Sequence, residues 1–551
     1  MRRLLLSLFV LATLISITPV HAADVVLENE HLRITLQESR GFGLGQIEDR
    51  AAGRTFLDGE ALPLWEIRWH AADGTQLKAT ATDDCQRSAR LDTEGETRQA
   101  TVTWADLKVG QGKARVKAVG TLEKTSRLSQ WRLSVQWTDK ALDLWEVDFP
   151  RLGGIKRNSA DDMLTIPCYW GRYCLDPVGR LPRYALGYPV SGSMQFWSLS
   201  SGGTGLYLAS YDSDCWLKRW QWTADARKAR GQWQATHLAP VPTPTPLSYE
   251  LPYTQILGTF AGDWQDAAAI YRQWALQQPW CREGKIADRK SIPEKFKQVA
   301  MWLKYYNEPG KVLQEVWDHQ QYLQVPMSVH YYRYPISNFD DNYPEMLPAK
   351  PGFQRAVADM QALGAAVMPY TQGTIWDMDT QCWRRERAEA AAAKQENGDV
   401  YRGVIGPNQY ADMCPAAKTW QEKVFDFTSK LVWDYGVDGV YLDVLSAGQA
   451  RPCHDKSHGH TIHGGNSWGQ GNRQLMEDLR RRIRAKKPQA FFTTEEICEI
   501  YLDKFDGFLT LDVTRGGYQP PVMLLPLFTA VYHDYAIQYG SDCALSTEPD
   551  Y

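Results

Sequence analysis

The 551-residue sequence carries little net charge of either sign: 61 Lys and Arg stand against 65 Asp and Glu, a balance of −4. Without a basic excess there is no electrostatic footprint for a phosphate backbone, which excludes nucleic acid as the expected partner. Beyond Ile17 no apolar run reaches the roughly 18 residues that a bilayer-crossing helix needs, so no membrane span is expected. The strong zinc spacings, paired C-x₂-C and HExxH, are missing too, and neither a metal nor another cofactor is expected. What the chain has in quantity is aromatic rings, 22 Trp and 27 Tyr. Such rings fill cores or stack on the C–H faces of sugars.

Arg2 and Arg3 precede an apolar run from Leu4 to Ile17, and Val20-His21-Ala22 places small residues at −3 and −1 of a cleavage site. This is the pattern of a secretory signal over residues 1–22, and it predicts export to a periplasm or to the exterior. All ten cysteines then lie in the mature chain, where they can oxidise. Cys168 and Cys174 are spaced to close a short local loop.

From 23 to 262 the pattern is short alternating segments broken by Gly, Asp and Asn, such as Leu32-Arg-Ile-Thr-Leu36 and Trp131-Arg-Leu-Ser-Val-Gln-Trp137. Period-two alternation at this density predicts a large antiparallel β-sandwich. Pro240-Val-Pro-Thr-Pro-Thr-Pro246 reads as an extended connection, because Pro fixes φ and offers no N–H to a ladder. Asp263 is a candidate N-cap for a helix in a linker over 263–291.

From 292 to 551 strands and helices alternate, which implies a parallel sheet. Strands are expected from Gln298, Met327, Ala365, Gly439, Ala490 and Asp506, with a seventh over residues 527–532. No eighth is recognisable. The expected fold is therefore α/β plus all-β: a β-sandwich followed by a (β/α)8 TIM-type barrel that lacks its last strand, as a truncated chain would.

Two of these strands end in carboxylates, Gly439-Val-Tyr-Leu-Asp443 and Ala490-Phe-Phe-Thr-Thr-Glu-Glu496. Barrel chemistry sits at the C-terminal ends of strands, so Asp443 and the Glu pair are the leading catalytic candidates. Neighbouring strand residues point to opposite sides, so only one of Glu495 and Glu496 can face the mouth. Asp534, after the seventh strand, is a third candidate. Binding candidates at the mouth are Trp302, Tyr332, Trp376, Asp377 and His533, and in the loop after Asp443 they are His458, His460 and Trp468. Glu496, Glu499, Asp503 and Asp506 read as solvated or helix-capping. That loop, Cys453-His-Asp-Lys-Ser-His-Gly-His-Thr-Ile-His463, crowds together residue types that ligate zinc, without a recognised spacing.

Gly436-Val-Asp-Gly-Val-Tyr-Leu-Asp443 resembles the strand-four nucleophile motif of retaining α-glycosidases. Thr494-Glu495 resembles the strand-five acid/base of glycoside hydrolase family 101, the endo-α-N-acetylgalactosaminidases. A closer likeness is to secreted bacterial proteins of domain of unknown function 6259, carried by Met413-Cys-Pro415, Tyr441-Leu-Asp443, His458-Gly-His460, Gly464-Gly465 with Trp468, Thr494-Glu-Glu496 and Tyr532-His-Asp-Tyr535 over roughly 250 to 540. The sandwich resembles the galactose-mutarotase-like domain that precedes the barrel in related glycosidases.

The resemblance implies a retaining, metal-independent attack on an α-linked oligo- or polysaccharide or glycoconjugate. Asp443 would be the nucleophile and Glu495 the acid/base, with Glu496 the alternative. Tyr441 stands where amylase-type barrels carry an Arg, which disfavours starch. Two other classes compete: a non-catalytic carbohydrate-binding protein on a degenerate barrel, and a metal-dependent hydrolase or lyase centred on Cys453 to His463.

Overall fold

The computed structural model describes residues 23–513 and 520–540. The signal-like segment and Cys543 lie outside the described residues.

Two antiparallel sheets make up the N-terminal half. One, of ten strands, starts with Val25–Glu28 paired to Leu32–Gln37 and ends at Arg183–Tyr188. The other, of eleven, is built on Thr97–Val109, Gly112–Glu123 and Leu128–Trp137. Along these strands every second side chain is buried, as the alternation requires. The inward Trp104 meets Trp65 edge-on at 5.5 Å and Phe42 at 6.3 Å, so the sheets pack face to face through aromatic rings.

Cys168 and Cys174 are free, buried thiols and do not close a loop. Their segment is a hairpin in which Leu164 faces Cys174 and Ile166 faces Arg172, leaving Cys168 in the turn. The Pro-rich connection is not wholly unpaired either. Pro240–Val241 adds antiparallel to Ile462–His463 of the C-terminal half, a two-residue edge pairing that a proline can join. A second bridge forms where Val522–Leu524 pairs with Arg172–Leu175 and extends the eleven-stranded sheet.

The helix Trp264–Ala275 leads out of the sandwich. Asp263 caps it by accepting from Gln265 N at 2.8 Å, and Asp266 accepts from Asp263 N at 2.9 Å, completing a capping box. Where sandwich, linker helix and barrel meet, Glu499 is fully buried. Its carboxylate accepts from Tyr188 (3.0 Å), Gln195 (3.0 Å), Tyr271 (2.8 Å) and Tyr532 (2.7 Å). Burial raises it to about 7 in spite of these donors. Asp506 is buried as well, paired with Arg480 and Arg484. Neither residue is solvated, in contrast to the sequence reading.

The C-terminal half is a parallel sheet of seven strands: β1 (Met301–Tyr305), β2 (Met327–Tyr331), β3 (Ala366–Gln372), β4 (Gly439–Asp443), β5 (Phe491–Glu495), β6 (Gly507–Leu509) and β7 (Gln538–Tyr539), hydrogen-bonded in that order. The helices between them include α1 (Pro309–Leu323), α2 (Phe353–Ala362), α3 (Lys418–Trp433) and α4 (Ser467–Arg484). On α3, Trp420, Val424, Phe427 and Leu431 form the buried stripe that their spacing predicts.

No eighth strand occurs among the described residues. Trp302 of β1 stacks on Tyr539 of β7 at 3.9 Å and nearly closes the barrel. The seventh strand is not where the sequence placed it. Leu527–Tyr532 is a short helix, α5, following Pro526. Its buried residues Leu527, Phe528, Val531 and Tyr532 follow helical spacing, so the residue composition of a strand concealed a helical period.

Candidate active site

Register places the candidate carboxylates side by side. Gln372 of β3 pairs with Asp443 of β4, and Leu442 pairs with Thr494 of β5, so Asp443 and Glu495 end adjacent strands at one level. Both strands stop abruptly. Val444 (φ 67°) and Glu496 (φ 54°), the residues that follow the carboxylates, adopt left-handed backbone. That conformation is unfavourable for any side chain and more so for a β-branched one, which marks these strand ends as strained.

Asp443 sits in a cup of tyrosines. Tyr441 donates to Oδ1 at 2.7 Å, while Tyr370 and Gln372 donate to Oδ2 at 2.7 and 3.3 Å. Tyr370, Tyr441 and Gln372 are all inward positions of β3 and β4, two residues apart as strand alternation requires. Burial raises the Asp443 carboxyl, and the charge of Asp340 adds to this. Hydrogen bonds from Tyr441, Tyr370 and Glu495 act in the opposite direction and favour its ionised form. The last of these brings the two carboxyls into hydrogen-bonding contact. Like charges in contact cannot both ionise cheaply, so the pair holds one proton between them.

Tyr332 lies in the same mouth, stacked between Tyr306 (4.6 Å) and Tyr370 (4.9 Å). Beneath it, the buried His330 packs on Tyr332 and Tyr441. Burial lowers that imidazole to about 3, so it is a neutral filler of the barrel interior. Asp340, in the segment after β2, is the third carboxylate near Asp443. Tyr343 donates to it at 2.9 Å and Tyr410 donates to its main-chain oxygen. The sequence gives no signal for Asp340, which belongs to no strand end.

Several expected site residues lie elsewhere. Trp302 serves the barrel seam. Trp376 is fully buried against Trp383 and Trp420 in a small side sheet, and its indole N–H points to Cys382. Asp377 accepts from the main chain of Asn342 and Asp379, a turn-holding role. Trp468 is buried in the first turn of α4. His458 and His460 face Cys453 and Cys414. Because residues 527–532 are helical, His533 is exposed at the C-cap of α5, and Asp534 pairs with Lys285 (3.0 Å) and Arg272 (3.3 Å) of the linker. Trp376, Trp468 and Asp534 are therefore corrected as mouth residues, each because packing or an ion pair holds it away.

Glu496, past the end of β5 in left-handed backbone, turns to the Asp512 segment and not to Asp443. It accepts from Asp512 N at 2.6 Å, while its Oε2 is buried without a partner. Burial raises its carboxyl to about 8. A folded value above the unfolded one, near 4.5, means that the folded state keeps a proton the unfolded chain has released. The resulting stabilisation is complete below about pH 4.5 and is lost as pH rises towards 8, at about 1.4 kcal/mol per pH unit. Glu496→Gln is expected to flatten the stability profile by that slope between pH 5 and 8 in denaturant titrations. An unchanged slope would show that Glu496 does not hold the proton.

A β-sandwich leading into a parallel barrel is a fold that solved structures share. The α-N-acetylgalactosaminidase NagBb from Bifidobacterium bifidum, in its GalNAc complex, superposes with a TM-score of 0.72 over 93% of this chain and 84% of that one, at 12% identity. Its Gal-NHAc-DNJ complex gives 0.73 over 93% and 83%. The chain belongs to the family described as Domain of unknown function (DUF6259), whose model matches residues 249–542. This agrees with the stretch over which the motifs resemble that family. A Bacteroides thetaiotaomicron protein named "Putative glycoside hydrolase" is 23% identical over 524 residues, covering 94% of this chain and 75% of that one. Monosiga brevicollis "Putative glycoside hydrolase 22789" is 26% identical over 394 residues, 64% of this chain, which spans about a third (32%) of that relative's length.

Proposed function

We propose that the protein is a glycoside hydrolase that cleaves an α-linked glycan with retention, using Asp443 as nucleophile and Glu495 as acid and then base. The observation that carries this reading is the contact between the two carboxyls, with three donors around Asp443 that favour its ionised form. Asp443 attacks the anomeric carbon while Glu495 protonates the departing oxygen. Glu495, now ionised, then takes a proton from the water that releases the sugar from Asp443. Hydrogen-bonded carboxyls are closer than the about 5–5.5 Å of a working retaining pair and far short of the roughly 6.5–9.5 Å of an inverting one. A sugar entering the mouth parts them by turning Glu495, which frees its proton for the leaving group.

Asp340, near Asp443, supplies an acceptor of the kind a pyranose hydroxyl requires, and the stacked Tyr332 and Tyr370 wall the mouth. The names of the relatives support the reaction class, and the GalNAc complex of the structural neighbour favours a galactose-configured substrate. Two carboxyls suffice for this mechanism, so it calls on no cofactor. The signal-like segment over 1–22 supports export, which suits an enzyme acting on glycans outside the cell. The test is turnover of a panel of aryl α- and β-glycosides by the purified protein. Hydrolysis confined to the α series is expected, and hydrolysis confined to the β series overturns the reading.

A further inference from the structure

A second cluster of reactive side chains lies in the loop that follows β4. Cys414, Cys453, His458 and His460 bring one ligand atom each to within 4.8 Å of one another. Both thiols are buried. The local fold explains how the two imidazoles converge. Asp455 caps a short turn by accepting from Ser457 N at 2.8 Å, and Gly459 (φ 76°) reverses the chain, which brings the His460 ring to 5.9 Å from that of His458. Cys414 reaches the same point from the segment before α3, held by its N–H to Ala391 O at 2.9 Å.

Each imidazole has its second nitrogen already committed. His458 Nε2 donates to Ala390 O at 2.8 Å and His460 Nδ1 donates to Thr461 O at 2.7 Å. These bonds fix the tautomers and leave the lone pairs of His458 Nδ1 and His460 Nε2 directed at Cys453 and Cys414, at 3.5 and 3.4 Å. This outer arrangement, a ligand histidine donating its other N–H to a main-chain carbonyl, is the one that metal-bound imidazoles adopt. The spacing also fits. With Zn–S of about 2.3 Å and Zn–N of about 2.0–2.1 Å at tetrahedral angles, an S···N edge is roughly 3.5 Å.

We propose that Cys414, Cys453, His458 and His460 bind one zinc ion as a closed Cys₂His₂ site. Four protein ligands leave no open position for water, so the site is structural. It clamps three chain segments: residues 388–394, the stretch at Cys414, and the loop that follows the Asp443 strand. Zinc displaces the proton of each thiol that is not already ionised. The proposal stands apart from the glycosidase reading, since neither Asp443 nor Glu495 is a ligand.

The test is elemental analysis of the full chain purified without chelator, then of the metal-stripped protein reconstituted with Zn²⁺ or Co²⁺. One zinc per chain is expected, and the cobalt form should show the ligand-field bands of a tetrahedral, thiolate-bound ion. Replacing a ligand, in Cys414→Ser or the more exposed His460→Ala, should weaken zinc by more than about 100-fold in chelator competition, since loss of an outer partner alone costs about 10–100-fold. Failure of a variant to fold leaves the wild-type stoichiometry and cobalt spectrum as the decisive readings. A reconstituted, folded wild type that holds no zinc, or a native Cys414–Cys453 disulfide found by peptide mass analysis, overturns the proposal.

Discussion

Asp443→Asn is expected to lower kcat by at least about 10⁴-fold while the protein stays folded. The substitution preserves shape, and the amide oxygen can still accept from one tyrosine, so circular dichroism and the melting transition should barely move. What is lost is the anion that forms the covalent bond to the sugar. The three donors around Asp443 fit this role, because burial alone would keep the carboxyl protonated and inert. Restoring the void in Asp443→Ala with azide or formate should recover part of the rate, with a glycosyl azide of inverted configuration as product. A folded Asp443→Asn protein with near-wild-type turnover would remove Asp443 from the chemistry.

Glu495→Gln is expected to cost about 10²–10⁴-fold, and the size should depend on the leaving group. A sugar or alcohol must be protonated as it departs, whereas a nitrophenolate needs little help. The first step with aryl substrates should therefore suffer at least about tenfold less than that with natural glycans. The basic limb of the pH–rate profile should vanish, since that limb reports the proton on Glu495. A uniform loss across leaving groups, with the basic limb intact, would mean that Glu495 only positions other groups. Glu496→Gln supplies the contrast, because Glu496 faces the Asp512 turn, and a large loss of activity is not expected there.

The strands that carry the candidate carboxylates were legible in the sequence for a physical reason. A run such as Gly439-Val-Tyr-Leu ending in Asp is buried on both faces and can hardly be anything but an inner parallel strand. Alternation predicts that only one of Glu495 and Glu496 faces the mouth, and it is the left-handed backbone at Glu496 that turns this residue to the Asp512 segment. Residues 527–532 misled because Phe, Thr, Val and Tyr favour strands, while the helix they form is set by its packing against the linker helix. That error carried His533 and Asp534 to the wrong side of the barrel.

Trp376 and Trp468 show the limit of reading aromatics as sugar platforms, since most large rings in a chain so rich in them are core. Asp340 lies in an insertion, where no periodicity marks a residue as facing the mouth. The Cys/His cluster was half visible: the His-Gly-His turn is local, but Cys414 joins it only through the fold.

The anomeric configuration of the first product, followed by NMR during hydrolysis of an aryl α-glycoside, tests the two-carboxylate mechanism most directly. Asp443 and Glu495 acting as described release the α-anomer first, which mutarotates to the β form only later. Release of the β-anomer first would mean single displacement by water, and would contradict a nucleophilic Asp443.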